Sequence, residues 1–180
     1  MKKKAIYFIV FALAMFTLSC SKKADVTPAT TVTKFTLNGN EYIETASADS
    51  TTTTDAGTFN VLGITGFSSD NVKQASLIIV FPGSAKPKAG TYKVVGGDAT
   101  IGGNQVGIIG IDKVSLSKNG LYSTTGKDNV SLTVSVSSSG KLSVSMPTIA
   151  MSGSNFDNTD PKNTVITDVN VTVSGSAIEN

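Results

Sequence analysis

The side chains that could do chemistry in this 180-residue chain are thirteen carboxylates, fifteen lysines, 22 serines and 23 threonines. Histidine, arginine and tryptophan are absent, and cysteine occurs once. Without histidine there is no Ser-His-Asp triad, no Cys-His pair and no His-ligated zinc or iron. One cysteine makes neither an internal disulfide nor a thiolate cluster. Without arginine, planar two-point recognition of phosphate or carboxylate is lost. Catalysis by paired carboxylates remains, and it needs two acids facing each other across a cleft. Glu41 and Glu44 point to opposite faces of one strand because their spacing is odd. A Ser–Lys nucleophile is unconstrained among so many serines.

The single cysteine, Cys20, has a telling position. Met1-Lys2-Lys3-Lys4 is a basic start, and Ala5–Leu18 is an apolar run broken only by Thr17. As a helix that run spans roughly 21 Å, short of the ~30 Å hydrocarbon core of a bilayer. A secretory signal fits it better than a membrane span. Leu18-Ser19-Cys20 resembles the lipobox of bacterial lipoprotein precursors, with Thr17 where the commonest pattern has Leu, Val or Ile. That resemblance implies cleavage between Ser19 and Cys20 and lipidation of Cys20. Two or three acyl chains at ~0.8 kcal/mol per buried methylene anchor a protein stably. Residues 1–19 would then be the signal peptide, 20–31 a lipidated cysteine with a polar tether, and 32–180 one domain. Three lysines leave with the signal, so the mature chain carries twelve lysines against thirteen acids. Such a near-neutral body has no electrostatic footprint for nucleic acid. Ser21 resembles outer-membrane sorting, and Lys22-Lys23 is unlike the acidic stretch of surface-exported lipoproteins, so a periplasm-facing outer-membrane location is expected.

Other candidate sites are weaker. The loop Asn155–Asn163 gathers Asp157, Asn158, Asp160 and Asn163, oxygen donors of the kind Ca²⁺ takes. Its spacing misses the EF-hand pattern, and Asx residues with Pro161 also simply make a turn. Gly96-Gly97-Asp98 and Gly102-Gly103-Asn104 lack the helix that a phosphate cradle needs and read as a flexible hairpin loop. Tyr42, Tyr92, Tyr122 and Phe156 could form a sugar platform. The better account puts Phe35, Phe59, Phe67 and Phe81 in the core and the tyrosines at strand ends. Asp49-Ser50-Thr51 resembles a Bacteroidetes O-glycosylation acceptor in a Thr-rich loop, with Ser50 as the attachment residue. No cofactor is expected.

The elements that must position these groups are strands. Val32–Leu37 runs into Asn38-Gly39, a strong hairpin signal, and Glu41–Ala46 returns. Thr58–Phe67 follows, with Phe59, Val61 and Leu62 expected inward. Ala75–Phe81 (ASLIIVF) is nearly continuous and reads as a central strand covered on both faces. Gly90–Val95, Val106–Ile111 and Val114–Ser117 come next, with a turn expected at Lys118-Asn119-Gly120. Clean alternation then places Leu132, Val134 and Val136, Leu142, Val144 and Met146, and Val169, Val171 and Val173 on buried faces. This pattern specifies an all-β protein, an antiparallel sandwich of about nine to eleven strands, with a flattened up-and-down barrel as the alternative.

Phe35-Thr-Leu-Asn-Gly39 with Tyr42, the long apolar strand and Gly90-Thr91-Tyr92 together resemble small Bacteroidetes outer-membrane lipoproteins carrying a β-rich domain of unknown function. That resemblance implies no activity. The functional expectation is a non-enzymatic envelope protein, held to the membrane through Cys20 and binding a protein or glycan. An enclosed mouth lined by Leu77–Val80 and Ile108–Ile111 favours a small ligand, and an open edge at Val165–Val173 favours strand addition. The alternative is a carboxylate- or calcium-dependent enzyme on glycans. It requires convergence among Asp98, Asp112, Asp157, Asp160 and Asp168.

Overall fold

Asn38 and Gly39 hold φ of 51° and 73°, the two positive values that a type I′ turn needs. They join β1 (Lys34–Leu37) to β2 (Asn40–Thr54) in a computed structural model that describes residues 33–160 and 162–179. Eight more strands follow: β3 (Gly57–Phe67), β4 (Gln74–Pro82), β5 (Gly90–Val94), β6 (Gln105–Lys113), β7 (Lys118–Thr124), β8 (Ser131–Val136), β9 (Leu142–Asp157) and β10 (Val165–Ile178). Cys20, Ser19 and the tether lie outside the described residues.

All ten strands belong to one sheet that closes on itself. Neighbours run β10-β1-β2-β3-β4-β6, and β7 then links β6 to the far half of β9, which pairs with β10. Over the near half of β9 the same gap is filled by β5 and β8. The result meets the all-β expectation, its ring-like bonding being that of a β-sandwich or flattened barrel. It departs from a purely antiparallel scheme at one place, where Lys93 and Val94 pair parallel with Gln105 and Val106. The glycine-rich segment between β5 and β6 is therefore a crossover and not a hairpin loop, because parallel neighbours cannot be joined by a tight turn.

The interior is filled. Leu37, Leu62, Leu77, Ile79, Ile108 and Leu132 are completely or almost completely buried in one continuous cluster. Alternation in β8, β9 and β10 runs as expected, except that Val136 at the strand end is 40% exposed and Val169 is only partly buried. In β3 the inward set is Leu62 and Ile64, so Phe59 and Val61 face out. Apolar residues occupy both parities of that strand, and packing against β2 and β4 decides between them. Tyr42, Tyr92 and Tyr122 are core residues, not strand ends, while Phe59 and Phe67 are only half-buried.

Two further expectations shift. Val114–Ser117 is the turn between β6 and β7, closed by the amides of Val114 and Ser115 on the carbonyl of Lys118. Lys118-Asn119-Gly120 begins the next strand. The Thr-rich stretch is no loop either: Ser50–Thr54 continues β2 against Gly57–Val61.

The two walls of the barrel differ outside. On β9 and β10 the outward positions are Ala150, Ser152, Ser154 and Phe156, and Ile166, Asp168, Asn170 and Thr172. On β3, β4 and β6 they include Val61, Ile78, Val80, Ile109 and Ile111, with Thr65, Gln74, Ser76 and Lys113 toward one end. Val61 and Ile78 are 7% and 8% exposed yet stand outside the interior cluster. The run Ala75–Phe81 is thus apolar on both faces, and beside it Ile101 reaches over Gly107 on the outer face of β6.

Candidate functional site

Strand β6 reads Val106-Gly-Ile-Ile-Gly-Ile-Asp112, and the even positions point inward, so Asp112 ends an apolar face inside the barrel. It is fully buried. The Tyr42 hydroxyl donates to its Oδ1 at 2.5 Å, and Oδ2 has no hydrogen-bond partner. Beside it, Asn38 Nδ2 donates to the Tyr122 hydroxyl at 3.2 Å, and that hydroxyl donates to Asn155 Oδ1 at 2.7 Å. Tyr122 reaches this position by lying across Gly120, where a Cβ would stand 1.8 Å from the phenol oxygen. That close approach is why a glycine occurs inside the strand.

Burial pushes the Asp112 carboxyl above its ordinary range, against the pull of the Tyr42 phenol, the Asn38 amide and the Lys73 charge. Burial pushes Tyr122 up to about 12, helped by the Asp112 charge. Burial and the Asp112 partnership push Tyr42 up as well. The cluster is an internal acid that keeps its proton to higher pH than a surface carboxyl. It opens on no cleft, since Asp112 has no exposed surface.

The other acids do not join it. Asp157 Oδ1 accepts from the Thr159 amide at 2.9 Å and from its hydroxyl at 2.5 Å, and Oδ2 faces Lys118 at 3.2 Å. The Thr159 contacts, with Lys118, hold the Asp157 carboxyl down at about 2. Asn158 Oδ1 accepts from the Thr164 hydroxyl, and Asp160 Oδ1 accepts from the Lys162 amide. Asn163 meets the Asp160 carbonyl through its own amide. The oxygens suggested for Ca²⁺ thus serve the turn itself, and no group of three or more acids or cysteines among the described residues could hold a metal. Asp168 accepts from Ser154 on the outer wall, and Asp98 is exposed in the β5–β6 crossover. The convergence of acids that a glycan-cleaving site requires is not present among the described residues. Nor do the aromatics form a platform: Tyr92 packs edge-on against Phe81, and Phe156 lies near the end of β9, paired with Ile166. Ser50 is exposed on β2, opposite Val61.

The exposed feature of the barrel is its seam. Strand β1 is only four residues long and joins β10 to β2 over Leu37–Phe35 and Val173–Gly175. Below that contact, Val165–Asn170 keeps β9 on one side and has no strand on the other. The Asn38 amide donates to the Thr172 carbonyl, which fixes which side even-numbered residues address. By alternation, the amides and carbonyls of Ile166, Asp168 and Asn170 point to the open side. Val165 and Ile166 are 54% and 60% exposed there. Two open grooves flank this edge. One of about 550 Å³ runs by Asn38, Gly39, Met151 and Thr172, and one of about 370 Å³ lies along Ser152–Ser154 and Asp168–Asn170.

The Val165–Val173 strand and an open edge there were both among the sequence's alternatives; that the open part is Val165–Asn170, and Val173 is paired, depends on where β1 stops. The Tyr42–Asp112 pair escaped sequence reading, although an acid at the inward parity of an apolar strand was its signal. Comparison of the chain with protein-family models, curated proteins and solved structures returns no match.

Proposed function

We propose that this chain is a non-enzymatic envelope lipoprotein, anchored through Cys20 in the outer membrane and facing the periplasm, that binds a partner polypeptide by strand addition. The anchoring half rests on the lipobox resemblance at Leu18-Ser19-Cys20. The binding half rests on one observation: an open ladder at Ile166, Asp168 and Asn170 beside two exposed aliphatic side chains. An unpaired edge offers a row of amides and carbonyls that only another extended backbone satisfies in full. The interior favours this over a small ligand, because the inward side chains of β4 and β6 fill it.

The test places a photoreactive residue at Ile166 in the full-length chain within its native envelope. A polypeptide adduct is expected. Asp168→Pro should abolish it, since that proline removes an amide facing the open side and leaves the β9 ladder intact. An adduct that survives Asp168→Pro, or no adduct, overturns strand addition. A product without incorporated palmitate overturns the anchor.

A further inference from the structure

We propose that Lys73 and Asn40 become joined by a side-chain amide bond, Nζ to Cγ, which the chain forms by itself with loss of ammonia. The inference rests on neither the anchor nor strand addition. Lys73 continues the inward parity of Ala75, Leu77 and Ile79 on β4, and Asn40 continues that of Tyr42 on β2. Strand β3 stands between those two strands but ends at Phe67. Beyond that end the lysine crosses to β2, and its Nζ lies 2.6 Å from Asn40 Oδ1. With a C=O bond of ~1.23 Å, Nζ is therefore no more than about 3.8 Å from the amide carbon. Groups held in the right geometry at about 3–3.5 Å react as if at very high concentration, which is what a slow amide exchange needs.

Both partners are held in place. The turn that carries Lys73 is closed by the Ser68 amide on the Lys73 carbonyl and by the Lys73 amide on Ser68 Oγ. Asn40 Nδ2 donates to the Asn38 carbonyl at 3.2 Å, so the Asn40 amide turns its oxygen to the lysine. A lysine beside an asparagine does nothing unless a third group takes the ammonium proton. The same mouth of the barrel supplies one, for Asp112 ends the inward row of β6, fully buried and with Oδ2 unpartnered. The Lys73 charge acts on that carboxyl, and burial makes it a stronger base than a surface carboxylate.

The step balances without oxidant or cofactor. The Lys73 ammonium passes one proton to the Asp112 carboxylate, and the freed lone pair on Nζ attacks Asn40 Cγ. The Cγ–Nδ2 bond breaks. The departing nitrogen takes one proton from Nζ and one from Asp112 and leaves as ammonium. The last of the three original protons stays on the new amide, and Asp112 is again a carboxylate. The product ties β2 to the start of β4 past the end of β3.

The test is peptide mapping of the full-length chain recovered from its envelope. A Lys-specific protease should fail to cut after Lys73, and the peptide Phe35–Lys86 should be lighter by one ammonia. Further cleavage at Glu41 and Glu44 should leave Asn40 and Lys73 in one branched product. Lys73→Arg keeps the positive charge, but a guanidinium does not give up its proton, so no ammonia should be lost. Asp112→Asn should slow the bond by about a hundredfold or more. Thermal unfolding in parallel should confirm that both variants remain folded. An ordinary cut after Lys73 with full peptide mass overturns the proposal. So does ammonia loss confined to Phe35–Lys73, the mark of a ring closed at Asn38-Gly39, and so does an undiminished bond in Asp112→Asn.

Discussion

The Tyr42 hydroxyl lies 2.5 Å from Asp112 Oδ1, joining residues seventy apart in sequence at the one fully buried carboxylate of the barrel. A buried hydrogen bond contributes modestly when made and costs more when one partner is left alone. Tyr42→Phe removes the 2.5 Å hydrogen bond to Asp112 and should lower stability by about 1–3 kcal/mol in urea unfolding. In the Asp112→Asn background the same substitution should cost less, because no charge is left stranded, and a double-mutant cycle reads the difference.

The pH dependence has two arms. Asp112 binds its proton more tightly folded than unfolded, because burial disfavours the carboxylate. Its contribution is complete below the ordinary value of 3.8 and is lost as pH rises through the raised native value. Asp157 acts oppositely: hydrogen bonds from Thr159 hold it near 2, so its contribution exists above 3.8 and disappears as pH falls toward 2. Stability should therefore pass through a maximum. Asp112→Asn should flatten the decline on the alkaline side only, as read by denaturant unfolding across pH 3–9.

Gly120→Ala would set a methyl group inside the Tyr122 phenol. The ring would have to leave Asn155 and Asn38, and overpacking of this kind costs typically about 1–3 kcal/mol. Gly120→Ala combined with Tyr122→Leu should recover part of that loss in thermal unfolding, because the obstructing ring is gone.

Leu77 is fully buried in the interior cluster, whereas Val136 is 40% exposed at a strand end. Leu77→Ala should cost about 2–5 kcal/mol, and Val136→Ala should stay within about 0.5 kcal/mol. Equal losses would contradict the assigned interior.

Along β10 the two backbone directions are separable. Asp168→Pro removes an amide that faces the open side, and Thr167→Pro removes one engaged with β9. Thr167→Pro should lower stability by at least about 1 kcal/mol, and Asp168→Pro should do markedly less. Hydrogen exchange should show fast exchange at the Ile166, Asp168 and Asn170 amides and protection at Thr167 and Val169.

What the sequence disclosed depended on how local the determinant was. The Asn38-Gly39 turn was legible because positive φ at two successive residues is a local demand. The alternation of β8 to β10 was legible because one parity is apolar and the other polar. Where both parities are apolar, as at Phe59–Phe67, local pattern loses its power and neighbouring strands choose the face. Gly120 was read as a turn residue because its true reason, the ring of Tyr122 folded over it, is a side-chain approach. The parallel contact of β5 with β6 and the shortness of β1 are properties of the closed ring, and no single segment encodes them.

That ring has a temporal consequence. Phe35 pairs with Gly175, so β1 meets its mate only after the 139 residues between them have been made. Until Val173–Gly175 emerges, both β1 and β9 wait with vacant backbone groups, and closure is the contact of greatest sequence separation and so of slow formation. A nascent chain halted before Val165 is an open sheet with two adhesive borders. Those borders must stay apart until β10 is in place.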